Sequence, residues 1–99
     1  MTDAAGSTAP STLRRTLAIG NKRGLHARAA AKFVRTAGQF DAAIRVSFKG
    51  QDVSGLSIMG LMMLAAGIGS SIMLTCSGRQ ALEAMAALSA LVEGKFGED

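Results

Sequence analysis

Four segments of the chain alternate hydrophobic and polar residues with the two-residue period of a β-strand. They cover residues 13–19, 44–48, 52–54 and 72–76. Such alternation is typical of strands that bury one face. The second segment, with Ile44, Val46 and Phe48 separated by polar residues, is the clearest, and Lys49-Gly50-Gln51 is a turn signal after it. The pattern predicts four strands, with the middle two joined as a hairpin.

Three other segments have helical spacing. The first two begin at Ala27 and Ile58, and the third follows Ser77. We expect them to extend to Ala37, about Ala65 and about Gly94. The first has a core-facing stripe of Ala30, Phe33, Val34 and Ala37, and the last has one of Ala81, Met85, Leu88 and Val92.

Local signals predict how these helices begin and end. Gly38 is placed to end the first helix as a C′ residue, the position at which glycine usually takes a left-handed conformation. Ser57 is placed to cap the second helix. Ser77 and Gln80 have the S-x-x-Q spacing of a capping box before the third.

The predicted order of elements is β-α-β-β-α-β-α, which indicates a two-layer α+β domain with helices on one face of a four-stranded sheet. Residues 1–12 are rich in Ala, Ser and Thr and lack the apolar and basic regions of a secretory signal. We expect 1–12 to be a flexible tail and 13–99 to be a single domain.

Composition narrows the class of protein. At 48% hydrophobic and 18% charged residues the chain is globular, and with four Phe and no Trp or Tyr we expect an aliphatic core filled in by Met. One cysteine excludes an internal disulfide, and with one histidine it cannot form a structural zinc site. We expect Cys76 to be a small buried strand residue and the protein to be cytoplasmic.

The net charge of +4 is unevenly distributed. Nine Lys or Arg and a single acid lie between Arg14 and Lys49, whereas four of the seven acids lie in the last seventeen residues. A basic half indicates an acidic partner, a phosphate or a nucleic acid. A small RNA-binding α/β module is therefore an alternative, although the chain has no Tyr or Trp on which bases could stack.

The segment from Val53 to Gly78 has no charged residue and is long enough to cross a bilayer. Glycine and serine interrupt it, above all in G-I-G-S-S at 67–71, which indicates a break between a helix and a strand. We therefore expect a soluble domain without a membrane segment.

The only histidine lies between a glycine loop and the start of the first helix. At a helix N-terminus the free N–H groups and the macrodipole favour an uncharged ring and would bind an anion attached to it. Arg28 can add a forked, charged donor for phosphate. A lone histidine is more often structural, but Gly24, the helix start and Arg28 together predict that His26 carries a phosphoryl group.

The second helix has two apolar sides. Ile58, Met59 and Met62 share one side, and Leu61 and Leu64 share the other. Both sides cannot face a thin core, so we expect one of them to be exposed as a Met-rich docking surface. The alternative is that all five side chains are buried.

Two motifs, G-L-H-A-R at 24–28 and L-S-I-M-G at 56–60, resemble the HPr phosphocarriers of the bacterial phosphotransferase system. The likeness extends from about Leu13 to about Phe96. Family members often have Pro at the position of Ala29. Because proline is only tolerated in the first turn of a helix, alanine at this position should hardly change the order of the helix start. Leu56, Ala29 and the M-M-L-A-A run are more similar to the nitrogen-related NPr branch. The resemblance implies an open-faced sandwich with an antiparallel sheet in the order 1-4-2-3.

The resemblance also implies a function. His26 would accept a phosphoryl group from Enzyme I, charged from phosphoenolpyruvate, and pass it to a histidine of an EIIA-type protein, with Arg28 stabilising the phosphate. The chain would be a stoichiometric carrier and not an enzyme, a monomer that needs no cofactor or metal and binds neither nucleic acid nor membrane. Partners would dock on Gly24, Leu25, Ala27, Lys32, Ile58, Met59 and Met62.

Ser57 aligns with the serine that HPr kinase/phosphorylase modifies in part of the family. As a bare residue it is a helix cap, and Leu56 stands before it where sugar-system members often have a basic residue. A third hypothesis is a regulatory binding protein modified only at Ser57. Acid lability distinguishes the two modifications, because phosphohistidine is lost in acid and phosphoserine is kept.

Overall fold

The computed structural model describes residues 12–98, and its elements follow the predicted order. The strands are β1 (Thr12–Ala18), β2 (Ala43–Phe48), β3 (Gln51–Ser54) and β4 (Ser71–Ser77). The helices are α1 (Ala27–Ala37), α2 (Ile58–Met63) and α3 (Ala81–Glu93), followed by a single turn, Lys95–Gly97. The predicted tail, 1–12, lies outside the described residues except for Thr12, which begins β1.

The four strands form one antiparallel sheet in the order β1-β4-β2-β3, which confirms the predicted fold. β4 lies between β1 and β2, so that Ile72 pairs with Leu17 and Leu74 with Val46. These four residues are buried beneath the helices, whereas residues between them along the strands, such as Thr16 and Met73, face outward. The sheet therefore has one covered and one open face, as its alternating pattern requires.

Aromatic and branched aliphatic side chains fill the core between the sheet and the helices. Phe33 of α1, Leu88 of α3 and Phe96 of the last turn are each no more than 1% exposed. The core is mostly aliphatic, as expected, but the expectation that Met fills it is wrong. Among residues 12–98 the one buried methionine is Met85, and four are exposed: Met59, Met62, Met63 and Met73.

Two predicted helix ends are also wrong in detail. Gly38 ends α1 with φ −68°, and its N–H donates to Val34 O at 2.9 Å, so it continues the right-handed geometry instead of reversing it. The Ser77–Gln80 capping box does not form, because Ser77 stays in β4. Gln80 instead uses its side-chain oxygen to accept a hydrogen bond from the N–H of Asp41 at 2.7 Å. A contact between two loops thus replaces the local cap.

The uncharged segment 53–78 is divided among the end of β3, α2, a loop and β4. No helix within residues 12–98 is long and apolar enough to span a membrane. Cys76 is buried in β4 as predicted, and burial raises the pKa of its thiol, so the thiol stays protonated at neutral pH.

Candidate functional site

One glycine fixes the loop before α1. Gly24 has φ +62°, and a Cβ atom there would lie 2.4 Å from Ala66 O and 2.7 Å from Gly67 Cα. The neighbouring Leu25 is buried and donates its N–H to Ala66 O at 3.0 Å. The loop therefore lies directly against the segment that follows α2, and this contact sets where His26 lies relative to that helix.

His26 is the N-cap residue of α1, as expected from the sequence. Its backbone is extended, with φ −73° and ψ 177°, and its carbonyl accepts the N–H of Ala30 at 2.9 Å. No side chain in the described part of the chain caps the helix, so its first N–H groups can meet an anion. The imidazole thus lies where partial positive charge from the helix is concentrated.

A glutamate from the other end of the chain contacts this ring. Glu98 Oε1 lies 2.8 Å from Nε2 of His26 and also accepts a hydrogen bond from Nδ2 of Asn21 at 3.0 Å. These two bonds, the one from Asn21 first, lower the pKa of the Glu98 carboxyl below its usual value. The carboxylate is therefore ionised at neutral pH. Among residues 12–98, no side chain forms a hydrogen bond with the other ring nitrogen, Nδ1.

Three cations lie around this carboxylate. Lys22, Arg23 and Arg28 line a shallow, open pocket together with Glu98, and all three cationic residues are exposed. Three positive charges against one negative charge make the pocket attractive to an anion. Arg28, two residues after His26, is one of the three exposed cations that line this pocket.

Sequence reasoning missed Glu98 and did not assign a role to Asn21. Asn21 is 0% exposed and donates to both Glu98 Oε1 and the carbonyl of Gly24, the latter at 2.9 Å. The one available signal was the concentration of acids near the C-terminus of an otherwise basic chain. That signal cannot identify which acid returns to a histidine 72 positions away.

The exposed side of α2 is the second candidate site. Ser57 caps the helix as predicted, accepting the N–H of Gly60 at 2.9 Å. Leu61 and Leu64 are buried, whereas Met59 is 66% exposed, so the alternative in which all five apolar residues are buried is wrong. Within residues 12–98, six of the eight exposed large hydrophobic residues belong to α2 and its flanks: Leu56, Ile58, Met59, Met62, Met63 and Ile68.

Comparison with known proteins agrees with this picture. Residues 13–94 match the family model described as the PTS HPr component phosphorylation site. The chain is 51% identical to phosphocarrier protein HPr of Cupriavidus necator, covering 87% of this chain and 97% of that protein. It is 44% identical to phosphocarrier protein NPr of Shewanella violacea, with coverage of 87% and 94%.

A solved structure is similar as well. The chain resembles the crystal structure of HPr-C-His from Thermoanaerobacter tengcongensis with a TM-score of 0.84 and 44% identity, covering 88% of this chain and 98% of that one. Fold and site together define a small phosphate-handling protein, with a histidine at a helix N-terminus beside a pocket lined by cations. The chain belongs to the HPr family of phosphocarriers of the phosphotransferase system. This assignment replaces the RNA-binding alternative, and the Shewanella protein supports the likeness to the NPr branch.

Proposed function

We propose that His26 accepts a phosphoryl group from phosphorylated Enzyme I, which is charged from phosphoenolpyruvate, and passes it to a histidine of an EIIA-type protein. The observation that carries the proposal is the ring's place at the uncapped N-terminus of α1, with Nδ1 free of hydrogen bonds from residues 12–98. The protein takes one phosphoryl group per cycle and gives it away, so it is a stoichiometric carrier and not a catalyst.

The surroundings of His26 suit this transfer. Phosphoryl transfer depends mainly on positioning and on stabilising charge around the moving group. The first N–H groups of α1 provide oriented donors, and the exposed guanidinium of Arg28 provides two more in a fork that matches phosphate oxygens. In this proposal Arg28 donates hydrogen bonds to the phosphate oxygens, and His26 alone forms the covalent bond.

The test uses purified protein, Enzyme I and phosphoenolpyruvate labelled in its phosphate. We expect label on the protein that is lost in acid and that maps to His26. Transfer to an EIIA-type protein should then remove it. Label that survives acid and maps to Ser57 would instead support a protein regulated only at that serine, and no label at all would contradict the carrier function.

The exposed side of α2 is the proposed docking surface for both partners. Ile58, Met59 and Met62 are 40%, 66% and 37% exposed, and adaptable Met side chains suit a surface that meets more than one partner. Ala27 and Lys32 of α1 would extend this surface. Gly24 and Leu25 are buried, so their proposed part is to position the loop.

A charge at the centre of this surface should weaken docking. We expect Met59→Glu to raise the KM for phosphorylated Enzyme I by on the order of tenfold, because a desolvated carboxylate would face the partner's apolar groups. The control is Met73→Glu, which places the same charge on the open face of the sheet at a methionine that is 42% exposed. An equal KM for phosphorylated Enzyme I in the two variants would contradict docking through α2.

Phosphorylation of Ser57 is proposed as a regulatory step, because the hydroxyl lies beside the docking surface. Ser57→Asp and Ser57→Asn both retain a capping oxygen for the N–H of Gly60 and differ only in charge. We expect the aspartate variant to accept the phosphoryl group more slowly than the asparagine variant, because the charge repels an acidic or phosphorylated partner. Identical rates at low salt would exclude this electrostatic effect.

A further inference from the structure

The carboxylate of Glu98 contacts one of the two ring nitrogens of His26. Oε1 lies 2.8 Å from Nε2, and the His26 and Glu98 side chains are 14% and 20% exposed. An ionised carboxylate accepts hydrogen bonds and has none to donate. Nε2 therefore carries the proton in this contact, and in an uncharged imidazole the free lone pair then belongs to Nδ1.

Asn21 keeps the carboxylate in its accepting role. Its Nδ2 donates to Glu98 Oε1 at 3.0 Å and to the carbonyl of Gly24 at 2.9 Å, so both amide hydrogens are used. The opposite amide orientation would turn an oxygen toward two acceptors at a position that is 0% exposed, where water cannot relieve the repulsion. The hydrogen bond from Asn21 is also the largest cause of the lowered pKa of Glu98.

The end of the chain reaches His26 through three consecutive residues with positive φ. Lys95, Phe96 and Gly97 have φ of 58°, 55° and 72°, and two of these residues are not glycine. Such backbone persists only where its surroundings hold it. Here Phe96 is buried in the core, and Lys32 Nζ donates to the Phe96 carbonyl at 2.6 Å. Tertiary contacts thus place Glu98 at the ring.

We propose that Glu98 is a positioning residue for the phosphoryl transfer. By accepting the Nε2–H of His26 it holds the ring in one tautomer and presents Nδ1 as the attacking nitrogen. The proposal rests on the proposed function of His26 as the phosphoryl acceptor. It adds a reason, in this chain's own geometry, why one ring nitrogen reacts and the other does not.

The transfer step then needs no proton to leave. The lone pair of Nδ1 forms the new N–P bond as the N–P bond of the donor histidine breaks, and the donor nitrogen keeps the electron pair of that bond. Nε2 retains its hydrogen throughout. The phosphorylated ring becomes positively charged, and the carboxylate hydrogen-bonded to Nε2 stabilises that charge. The aspartate of a Ser-His-Asp triad stabilises its imidazolium in the same way.

Nitrogen-15 NMR of the full-length protein reports the tautomer directly, at a pH at which the ring is uncharged. In the unmodified protein we expect hydrogen on Nε2 and a free lone pair on Nδ1. Glu98→Ala should give a mixture of tautomers and slow acceptance from phosphorylated Enzyme I by about tenfold, the effect of losing a group that orients a histidine. Glu98→Gln should retain the tautomer, because its side-chain oxygen can accept from both Asn21 and His26. Its rate should lie between those of the unmodified protein and Glu98→Ala, because the amide lacks the charge that stabilises the phosphorylated ring.

The matched control is Glu93→Ala, which removes a carboxylate that pairs with Arg15 at 2.8 Å on the exposed surface. It should change neither the tautomer nor the rate. An unchanged tautomer in Glu98→Ala would overturn the proposal, and so would a changed tautomer with an unchanged rate. If the unmodified protein takes no label, the proposed function fails while the tautomer measurement still decides the contact between Glu98 and His26.

Discussion

Replacement of His26 by alanine should abolish phosphorylation of the protein by Enzyme I and phosphoenolpyruvate. The imidazole is the proposed nucleophile, and no second histidine exists in the chain to replace it. The fold should survive, because the ring is a partly exposed side chain that makes no capping bond to α1. The measurement is acid-labile label on the purified variant, with its unfolding midpoint as the test of folding.

Arg28→Ala is the control that separates the nucleophile from the groups around it. It retains His26 and removes one charged donor, so label should still appear, about tenfold more slowly, the size expected for a charged hydrogen bond to the moving phosphate. Acid-labile label on the His26→Ala variant would contradict the assignment of the acceptor. Complete loss of label in Arg28→Ala would assign to the arginine a larger part than phosphate stabilisation.

Gly24→Ala should lower the stability of the protein more than the addition of a methyl group at any other position of this loop. The left-handed conformation, with φ +62°, costs a residue with a Cβ roughly 1–2 kcal/mol, and the new carbon would lie 2.4 Å from Ala66 O. Relieving that contact must move the loop away from the segment after α2 and strain the Leu25–Ala66 hydrogen bond. We expect a loss of about 3 kcal/mol in the free energy of unfolding, measured with urea.

Gly50→Ala isolates the steric part of this effect. Gly50 also has a left-handed conformation, with φ +81°, but nothing lies within 4 Å of a Cβ atom placed there. The free energy of unfolding of this variant should fall only by the conformational cost, roughly 1 kcal/mol, and the variant should accept the phosphoryl group at the normal rate. Gly24→Ala should also accept it more slowly, because its loop carries His26. Equal losses of stability would show that the contact with Ala66 is unimportant.

Local patterns determined most of the fold. Alternation predicted all four strands, and in β2 and β4 alternate residues are buried as that pattern requires. Helical spacing predicted the core stripes of α1 and α3, in which Phe33, Ala37, Met85 and Leu88 are buried. Gly24 and the helix start predicted the place of His26, since a cap depends on residues within one turn of it. Two short motifs then indicated the family, whose sheet order no periodicity could give.

The predictions that failed concern competition between distant partners. The Ser77–Gln80 spacing fits a local cap, but pairing within the sheet holds Ser77 and the loop at Asp41 occupies Gln80. Met was expected to fill the core, but within residues 12–98 only Met85 is buried and four methionines are exposed, and Phe33 and Phe96 pack with the aliphatic side chains instead. A local pattern indicates which contacts a residue can make. It cannot show whether those contacts are more favourable than contacts with residues far away in the chain.

The sequence by itself determined the strands, the helices, the histidine at a helix start and the family. Only the tertiary structure decided which groups surround the ring. Glu98 lies 72 positions after His26, and it arrives through a left-handed turn that the burial of Phe96 and the hydrogen bond from Lys32 maintain. That meeting depends on how α3 and the sheet pack together, which is a property of the whole chain and of no single segment.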